Sequence, residues 1–470
     1  MESGVGEAAT AGDLIEIRFD CLESAELEES LRQVADLIKY TNRPLIITFR
    51  PREQGGRRDL DFASRIEFWN NRPRSADFYD IELDLVPLFL SATPKMGSVD
   101  WQKVICSHHD FVGIPDDLEK IYERMASTPA RILKVAVQAD EITDCLRVFR
   151  LLEMARSAGR EMIAIAMGSA GIVTRILGPA RGAFLTYGAL EAETRTAPGQ
   201  PTAKELRELY RIDKIHRQTK IMGLIGMPVC QSVSPHMLNA AFADSGEEAV
   251  YIPFEVRNLN AFIRRMVGPR TREIAWNLRG LSVTAPHKTA VMAYLDWIEP
   301  SAREIGAVNT IVISDDLLLG YNTDAFAFLK PVMDQHGSLR DTRSAVIGAG
   351  GAACAALWSL QKQGGARATV FTRDREKGSA LAEKFSAGWE PLAGASFTSF
   401  DLVINATPLG TRGSLEDQSP ATEAQLRGAR LVYDLVYNPI ETLFLRQARR
   451  AGCKTIGGLP MLVLQAAEQF

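Results

Sequence analysis

The chain has 470 residues, 46% of them apolar and 24% charged, with a net charge of −4. That length and composition fit about three domains of ordinary globular protein and leave little room for extended disorder. The near-balance of charge gives no footing to a nucleic-acid or anionic-membrane partner, and no apolar run reaches the ~18 residues of a membrane span. The cysteines, Cys21, Cys106, Cys145, Cys230, Cys354 and Cys453, are dispersed without a CxxC pair. They point to a reducing cytoplasm and give no disulfide framework or zinc site.

Residues 1–13 are small and polar and read as a frayed or helical start. Apolar strands are then expected from Leu14 (LIEIRFD), Pro44 (PLIITFR), Phe78 (FYDIELDL), Val104 (VICSHHD), Ile132 (ILKVAVQ), Met162 (MIAIAMG) and Gly182 (GAFLTYG), with helix-like stretches such as DLEKIYERMAS between them. Strand and helix alternating at about 30-residue spacing mean βα units and a parallel sheet. So many units favour a TIM-type (β/α)8 barrel. The readable strands fall one short of a closed barrel, and only VGEAATAG precedes LIEIRFD, so the first strand is the one missing. The expectation is an incomplete barrel, with the strand from Leu14 on an exposed edge beside the strand from Gly182.

The beat stops near Thr196, where TAPGQPTAKELRELYRIDKIHRQTK reads as a loop and a polar helix. A second α/β region starts at IMGLIGMP (Ile221), with strands near AVYIPFEV, GLSVTAP and NTIVI. A third begins at SAVIGAGGAACAALWSL (Ser344) and continues through ATVFTRD, DLVINATP and LVYDLVY. The domains expected are a barrel over 1–206, a linker over 207–219, a substrate-binding domain over 220–334 completed by 441–470, and a Rossmann domain over 335–440.

The turn Gly348-Ala349-Gly350-Gly351-Ala352 lies between a strand and a helix. Glycines there adopt backbone conformations closed to other residues, and the helix N-terminus offers free N–H groups to a pyrophosphate. The next strand ends Thr372-Arg373-Asp374, with Lys377 one helical turn on. Arg373 and Lys377 suit the 2′-phosphate of NADP, whereas Asp374 is the kind of residue that binds the ribose of NAD. NADP is the cofactor expected.

The motifs of residues 221–470 resemble the shikimate dehydrogenase family. GMPVCQSVSP, GLSVTAPHK, AVNT, GYNTD, GAGGAA, NATPLG and the tail GGLPMLVLQAAEQF occur in the family's order. The resemblance implies that Ser232, Ser234, Thr284, Asn309, Tyr437 and Gln465 cradle the substrate. It implies that Lys288 and Asp324 are the catalytic pair, and that Thr407, Leu435 and Gly458 join the cofactor site. Hydride delivery to a ketone builds alkoxide charge, which an ammonium stabilises and protonates. Read alone, Lys288 is a surface lysine after a Pro-His turn and Asp324 a helix N-cap. Ser282 stands where the family often has Asn, and Leu238 where it often has His.

Residues 14–206 resemble type I 3-dehydroquinate dehydratases, through EIR (Glu16 to Arg18), TFR ending at Arg50, SHHDF, LKVA around Lys134, MGSAGIVTRI around Arg175 and APGQ ending at Gln200. Lys134 is conspicuous by itself, because it stands among apolar residues in a strand that helices cover. A desolvated lysine favours its neutral amine, which forms a Schiff base with a ketone. The resemblance makes His109 the proton carrier and leaves His108, on the opposite side of the strand, structural. Glu16, Arg18, Arg50, Arg175 and Gln200 become substrate-site residues, and Gln54 departs from the family's usual Glu.

The two resemblances together imply a bifunctional enzyme of aromatic amino acid biosynthesis. It dehydrates 3-dehydroquinate to 3-dehydroshikimate and reduces that ketone to shikimate with NADPH, without a metal, as a cytoplasmic monomer or homodimer. The incomplete barrel leads to the expectation of weak dehydratase turnover. A dehydrogenase with an inactive barrel, a quinate dehydrogenase and, least favoured, a non-catalytic ligand sensor are the rival readings.

Overall fold

A computed structural model describes residues 2–40, 42–91, 99–191, 193, 197, 199–230, 232–363 and 367–470. By contact, the chain separates into two units. The first is Met1–Ile221 with Asn239–Met266 and Arg272–Asn277; the second is Met222–Leu238 with Val267–Thr271 and Leu278–Phe470.

The first unit opens with a helix, Glu2–Ala11. Its strands are β1 (Ile15–Arg18), β2 (Leu45–Thr48), β3 (Phe78–Glu82), β4 (Val104–Asp110), β5 (Ile132–Gln138) and β6 (Glu161–Met167). They form one parallel sheet in sequence order. Alternation along each strand puts Glu16 and Arg18, Ile46 and Thr48, Phe78, Asp80 and Glu82, Ile105, Ser107 and His109, and Ile132, Lys134 and Ala136 on one face. That face is concave. Lys134 on β5 lies 3.7 Å from Glu16 on β1. The two strands are four places apart, about 19 Å in a flat sheet at ~4.8 Å per strand. Curling alone brings such side chains together.

The strand expected from Gly182 does not form. Gly182 takes a positive φ of 100° after the short turn Pro179–Arg181. Beyond it the chain makes an isolated bridge between Met162 and Ala183, with the Phe184 N–H donating to the Met162 carbonyl at 2.8 Å. Phe184, Leu185 and Tyr187 instead pack on the apolar cluster of Ile46, Phe78, Ile105, Ile132 and Ile163. Leu14 packs on the same cluster. The bridge puts this segment beside β6, not beside the strand from Leu14, and the described sheet has six strands.

After β7 (Lys220–Gly226), β8 (Ala249–Glu255) belongs to the first unit, where Glu255 accepts a 2.7 Å hydrogen bond from Ser169 Oγ in the loop after β6. In the second unit β9 (Leu278–Val283), β10 (Trp297–Ile298), β11 (Thr310–Ser314) and β12 (Leu317–Tyr321) run in the order β10-β12-β11-β9-β7. The β11–β12 hairpin turns through Asp315 and Asp316, both at positive φ. The other sheet holds β13 (Arg343–Ile347), β14 (Arg367–Thr372), β15 (Gly388–Pro391), β16 (Leu402–Asn405), β17 (Leu431–Asp434) and β18 (Lys454–Ile456). Its order, β15-β14-β13-β16-β17-β18, is all parallel and is the doubly wound pattern whose switch point lies between β13 and β16.

Candidate active sites

The concave face of the first sheet carries a buried charge cluster. Asp80 sits at its centre, fully buried. Its Oδ2 accepts from Arg50 Nη2 at 2.7 Å and from Lys134 Nζ at 2.6 Å. Burial alone would raise this carboxyl. The facing Arg50, Lys134 and His109 overcome it and hold Asp80 well below the usual carboxylate range. Lys134 is 3% exposed. Burial pulls its ammonium below the ordinary lysine range; Asp80 opposes that shift and Arg50 adds to it. The amine is thereby easier to deprotonate while remaining held in place.

His109 projects into the same face and is buried. Burial, with Arg50 and Lys134 nearby, pushes its imidazolium well down, so the ring is neutral and free to take a proton. His108 interacts instead with Asp110, Arg124 and Asp117 and carries no part of the cluster, as the strand alternation requires. Glu16 accepts from Thr48 Oγ1 at 2.7 Å. Arg18 is committed to Asp20, at 2.8 and 2.6 Å, and to the Gly55 carbonyl at 3.0 Å. It therefore anchors the loop after β2, and Asp20 is a partner the sequence gave no reason to single out. Glu82, also on the concave face, is pushed up to about 7 by burial, which Arg65 and Arg50 oppose.

Arg175 differs from every other arginine of the site. It is 2% exposed and donates to the Tyr187 carbonyl at 3.2 Å, and among the described residues no carboxylate pairs with it. Burial pushes it down to about 10. A buried guanidinium without an anion is costly unless an anion comes to meet it. Among the described residues, Arg50 Nε, Arg175 Nε, His109 Nδ1, Ser107 Oγ and Tyr187 Oη are all buried without a hydrogen-bond partner. So many unmatched polar atoms in one place suit a small, highly oxygenated carboxylate. Gln200 is buried as well.

In the second unit Lys288 is hydrogen-bonded to Asp324 and keeps 17% of its side chain exposed. Asp324 is the first residue of the helix Asp324–His336 and is buried. Asn309 Nδ2 donates to Asp324 Oδ1 and to Thr323 Oγ1, each at 2.9 Å, and to Gln465 Oε1 at 3.4 Å. Gln469 Nε2 donates to Gln465 Oε1 at 2.9 Å and accepts through Oε1 from Ser282 Oγ at 2.7 Å. Ser282 is thus part of the chain that holds Gln465. Ser232 Oγ donates to Ser234 Oγ at 3.1 Å. The Thr284 N–H donates to the Ile225 carbonyl at 2.9 Å, and Tyr437 is half-buried.

The glycine turn abuts this pair. Gly348, at φ 117°, follows β13, and a Cβ there would lie 3.1 Å from the Ala406 carbonyl oxygen and from Thr407 Cγ2. A Cβ on Gly351 would come within 3.0 Å of Lys288 Cβ and Cδ. A Cβ on Gly458 would lie only 2.5 Å from the Leu435 carbonyl oxygen. Ala349 and Ala352 flank these glycines, and the helix Gly351–Lys362 starts there with its N–H groups available to a pyrophosphate. Thr372 is buried and bonds to the Asp374 carbonyl at 2.7 Å. Asp374 caps the helix Arg375–Lys384 by accepting from the Lys377 N–H at 3.1 Å. The carboxylate that suggested NAD is occupied as a cap, while Arg373 and Lys377 are exposed beside it. The residues fit NADP.

The sequence pattern of type I 3-dehydroquinase matches residues 1–217, and that of the shikimate dehydrogenase substrate binding domain matches 224–311. The bifunctional 3-dehydroquinate dehydratase/shikimate dehydrogenase, chloroplastic, of Arabidopsis thaliana is 34% identical over 97% of this chain and 77% of its own length. The chain belongs to this bifunctional family. A shikimate dehydrogenase (NADP(+)) of Symbiobacterium thermophilum is 41% identical over 53% of this chain and 86% of its own. A crystal structure of a shikimate dehydrogenase in complex with NADP+ has 36% identity and a TM-score of 0.49, covering 54% of this chain and 90% of that one.

Asp80 raises the pKa of both Lys134 and His109. Asp80→Asn removes that influence, so both groups stay neutral to lower pH. The acid limb of the dehydratase kcat/KM profile should move to lower pH, and a limb that stays or rises contradicts the assignment. Gly351→Ala should displace Lys288 and lower shikimate dehydrogenase kcat by roughly 10–100-fold with dehydratase turnover unchanged. Native dehydrogenase turnover in that variant would contradict the packing argument.

Proposed function

We propose that the chain catalyses two successive reactions, dehydration of 3-dehydroquinate to 3-dehydroshikimate and reduction of 3-dehydroshikimate to shikimate, with NADP as cofactor. The observation that carries the first is the buried Lys134–Asp80–Arg50 cluster with unpaired Arg175 beside it. Neutral Lys134 Nζ attacks the ketone carbon, and the ketone oxygen leaves as water. The iminium draws electrons from the adjacent carbon, whose proton His109 accepts. The resulting enamine expels the hydroxyl one carbon further on, which takes the proton back from His109 and leaves as water. Hydrolysis of the iminium by water then frees Lys134, so the net change is loss of one water. Arg175 receives the substrate carboxylate; Arg50 and Gln200 take hydroxyls, and Glu16 and Arg18 order the surrounding wall. The iminium is the electron sink, so this chemistry calls for no metal ion.

In the second reaction Ser232, Ser234, Thr284, Asn309, Tyr437 and Gln465 orient the substrate against Lys288. Bound NADPH supplies the hydride. Lys288 gives its proton to the carbonyl oxygen as charge develops there, and Asp324, fixed by Asn309, keeps the ammonium aimed. Gly348, Ala349, Gly350, Gly351 and Ala352 would hold the pyrophosphate, Thr372, Arg373 and Lys377 the 2′-phosphate end, and Thr407, Leu435 and Gly458 would complete the cofactor site. In this reading the domains are 1–206, 220–334 with 441–470, and 335–440, around a linker at 207–219, whereas grouping by contact assigns Asn239–Met266 and Arg272–Asn277 to the first unit. No helix among the described residues is long and apolar enough to cross a membrane. All six cysteines are free, which favours a reducing compartment such as the cytoplasm for the monomer or homodimer.

Borohydride added with substrate should fix ligand mass on a peptide containing Lys134, and Lys134→Ala should lose both the label and the dehydratase activity while still oxidising shikimate. Label that persists in the variant overturns the nucleophile. Arg373→Ala should raise the KM for NADPH about tenfold or more with little change for NADH. Equal changes for the two cofactors would remove Arg373 from the 2′-phosphate site.

A further inference from the structure

Tyr187 lies in the segment expected to be a strand and given no chemical role above. Its ring centre is 4.3 Å from Lys134 Nζ, so the amine lies between the Asp80 carboxylate and an aromatic face. The ring packs on the apolar cluster that floors the concave face, and its own carbonyl accepts from Arg175 Nη1 at 3.2 Å. Its hydroxyl is out of reach of solvent and, among the described residues, has no hydrogen-bond partner. Burial first, then the nearby Glu16 and Asp80, hold that phenol far above its ordinary range, so at neutral pH it is a donor.

Each half of the side chain answers a need of the reaction. A cation at Nζ is attracted to the ring quadrupole, the more so where water is excluded. The iminium keeps its positive charge at that nitrogen but only one of the ammonium's N–H donors, so less of its hold on Asp80 comes from hydrogen bonds. The ring does not depend on those protons. The hydroxyl at the rim of the same ring is an unmatched donor, and 3-dehydroquinate carries a hydroxyl on the carbon flanking its ketone. Resting on the Lys134 reading above, we propose that Tyr187 is a further catalytic residue of the dehydratase, its ring face stabilising the iminium cation and its hydroxyl donating a hydrogen bond to the substrate hydroxyl next to the reacting carbonyl.

Two variants separate the ring from the hydroxyl, with steady-state kinetics and borohydride trapping read on the full chain. Tyr187→Phe keeps the ring. It should raise the KM for 3-dehydroquinate about tenfold, leave kcat within about twofold and label Lys134 as fully as the parent. Tyr187→Leu removes both groups. It should also lower kcat, and the fraction of Lys134 trapped at saturating substrate, by about tenfold or more. A parental KM in Tyr187→Phe overturns the hydroxyl's role, and parental trapping with parental kcat in Tyr187→Leu overturns the ring's. If the parent chain itself is not labelled at Lys134, the Lys134 reading fails, and this inference with it. A Tyr187→Phe chain that labels normally but shows a raised KM keeps the Lys134 reading and supports the hydroxyl.

Discussion

A single buried carboxylate organises the first active site. Asp80 offers one oxygen to two cations, Arg50 and Lys134, inside a sheet that excludes water. The arrangement has opposite effects on its members. Two cations keep Asp80 ionised despite burial, whereas burial and Arg50 make the charged form of Lys134 costly. Removing Asp80 would leave two buried cations unmatched, whereas removing either cation leaves the carboxylate paired with the other. Curvature follows from the same constraint, because Glu16 and Lys134 meet only if the sheet curls.

The second site uses the same pair of residue types for a different purpose. Lys288 also faces a carboxylate, but part of it reaches solvent, and Asp324 is tied to Asn309 at the start of a helix. Among the described residues, the partners that hold this pair include no guanidinium. The first lysine is buried beside a second cation; the second is partly open to solvent beside a carboxylate that an amide holds in place. The glycine turn adds a steric condition, since a Cβ at position 351 would crowd Lys288 at 3.0 Å.

Much of this was legible in the sequence, and the failures have physical causes. Lys134 stood out because a lysine among apolar strand residues needs a reason. Asp80 did not stand out, although its strand was readable, because its partners lie 30 and 54 residues away and only the curled sheet brings them together. GAFLTYG has the composition of a strand, yet Gly182 enters it from a left-handed turn and its apolar side chains are taken up by the core without a paired ladder. β12 was missed because its hairpin turns through two aspartates at positive φ in place of the expected Asn-Gly or Asp-Gly. Asp374 reads in the sequence only as a ribose ligand; the structure shows it capping the helix Arg375–Lys384 through the 3.1 Å bond from the Lys377 N–H.

The central claim is that the protein frame makes Lys134 an unusually acidic ammonium while holding it against Asp80. The direct test is to follow the Lys134 side-chain nitrogen by NMR in lysine-labelled protein as pH is raised, assigning its signal by its loss in Lys134→Arg. The account predicts that Lys134 deprotonates below the ordinary lysine value of about 10.4 and ahead of the surface lysines. Titration at or above that value, with the surface lysines leading, would contradict it.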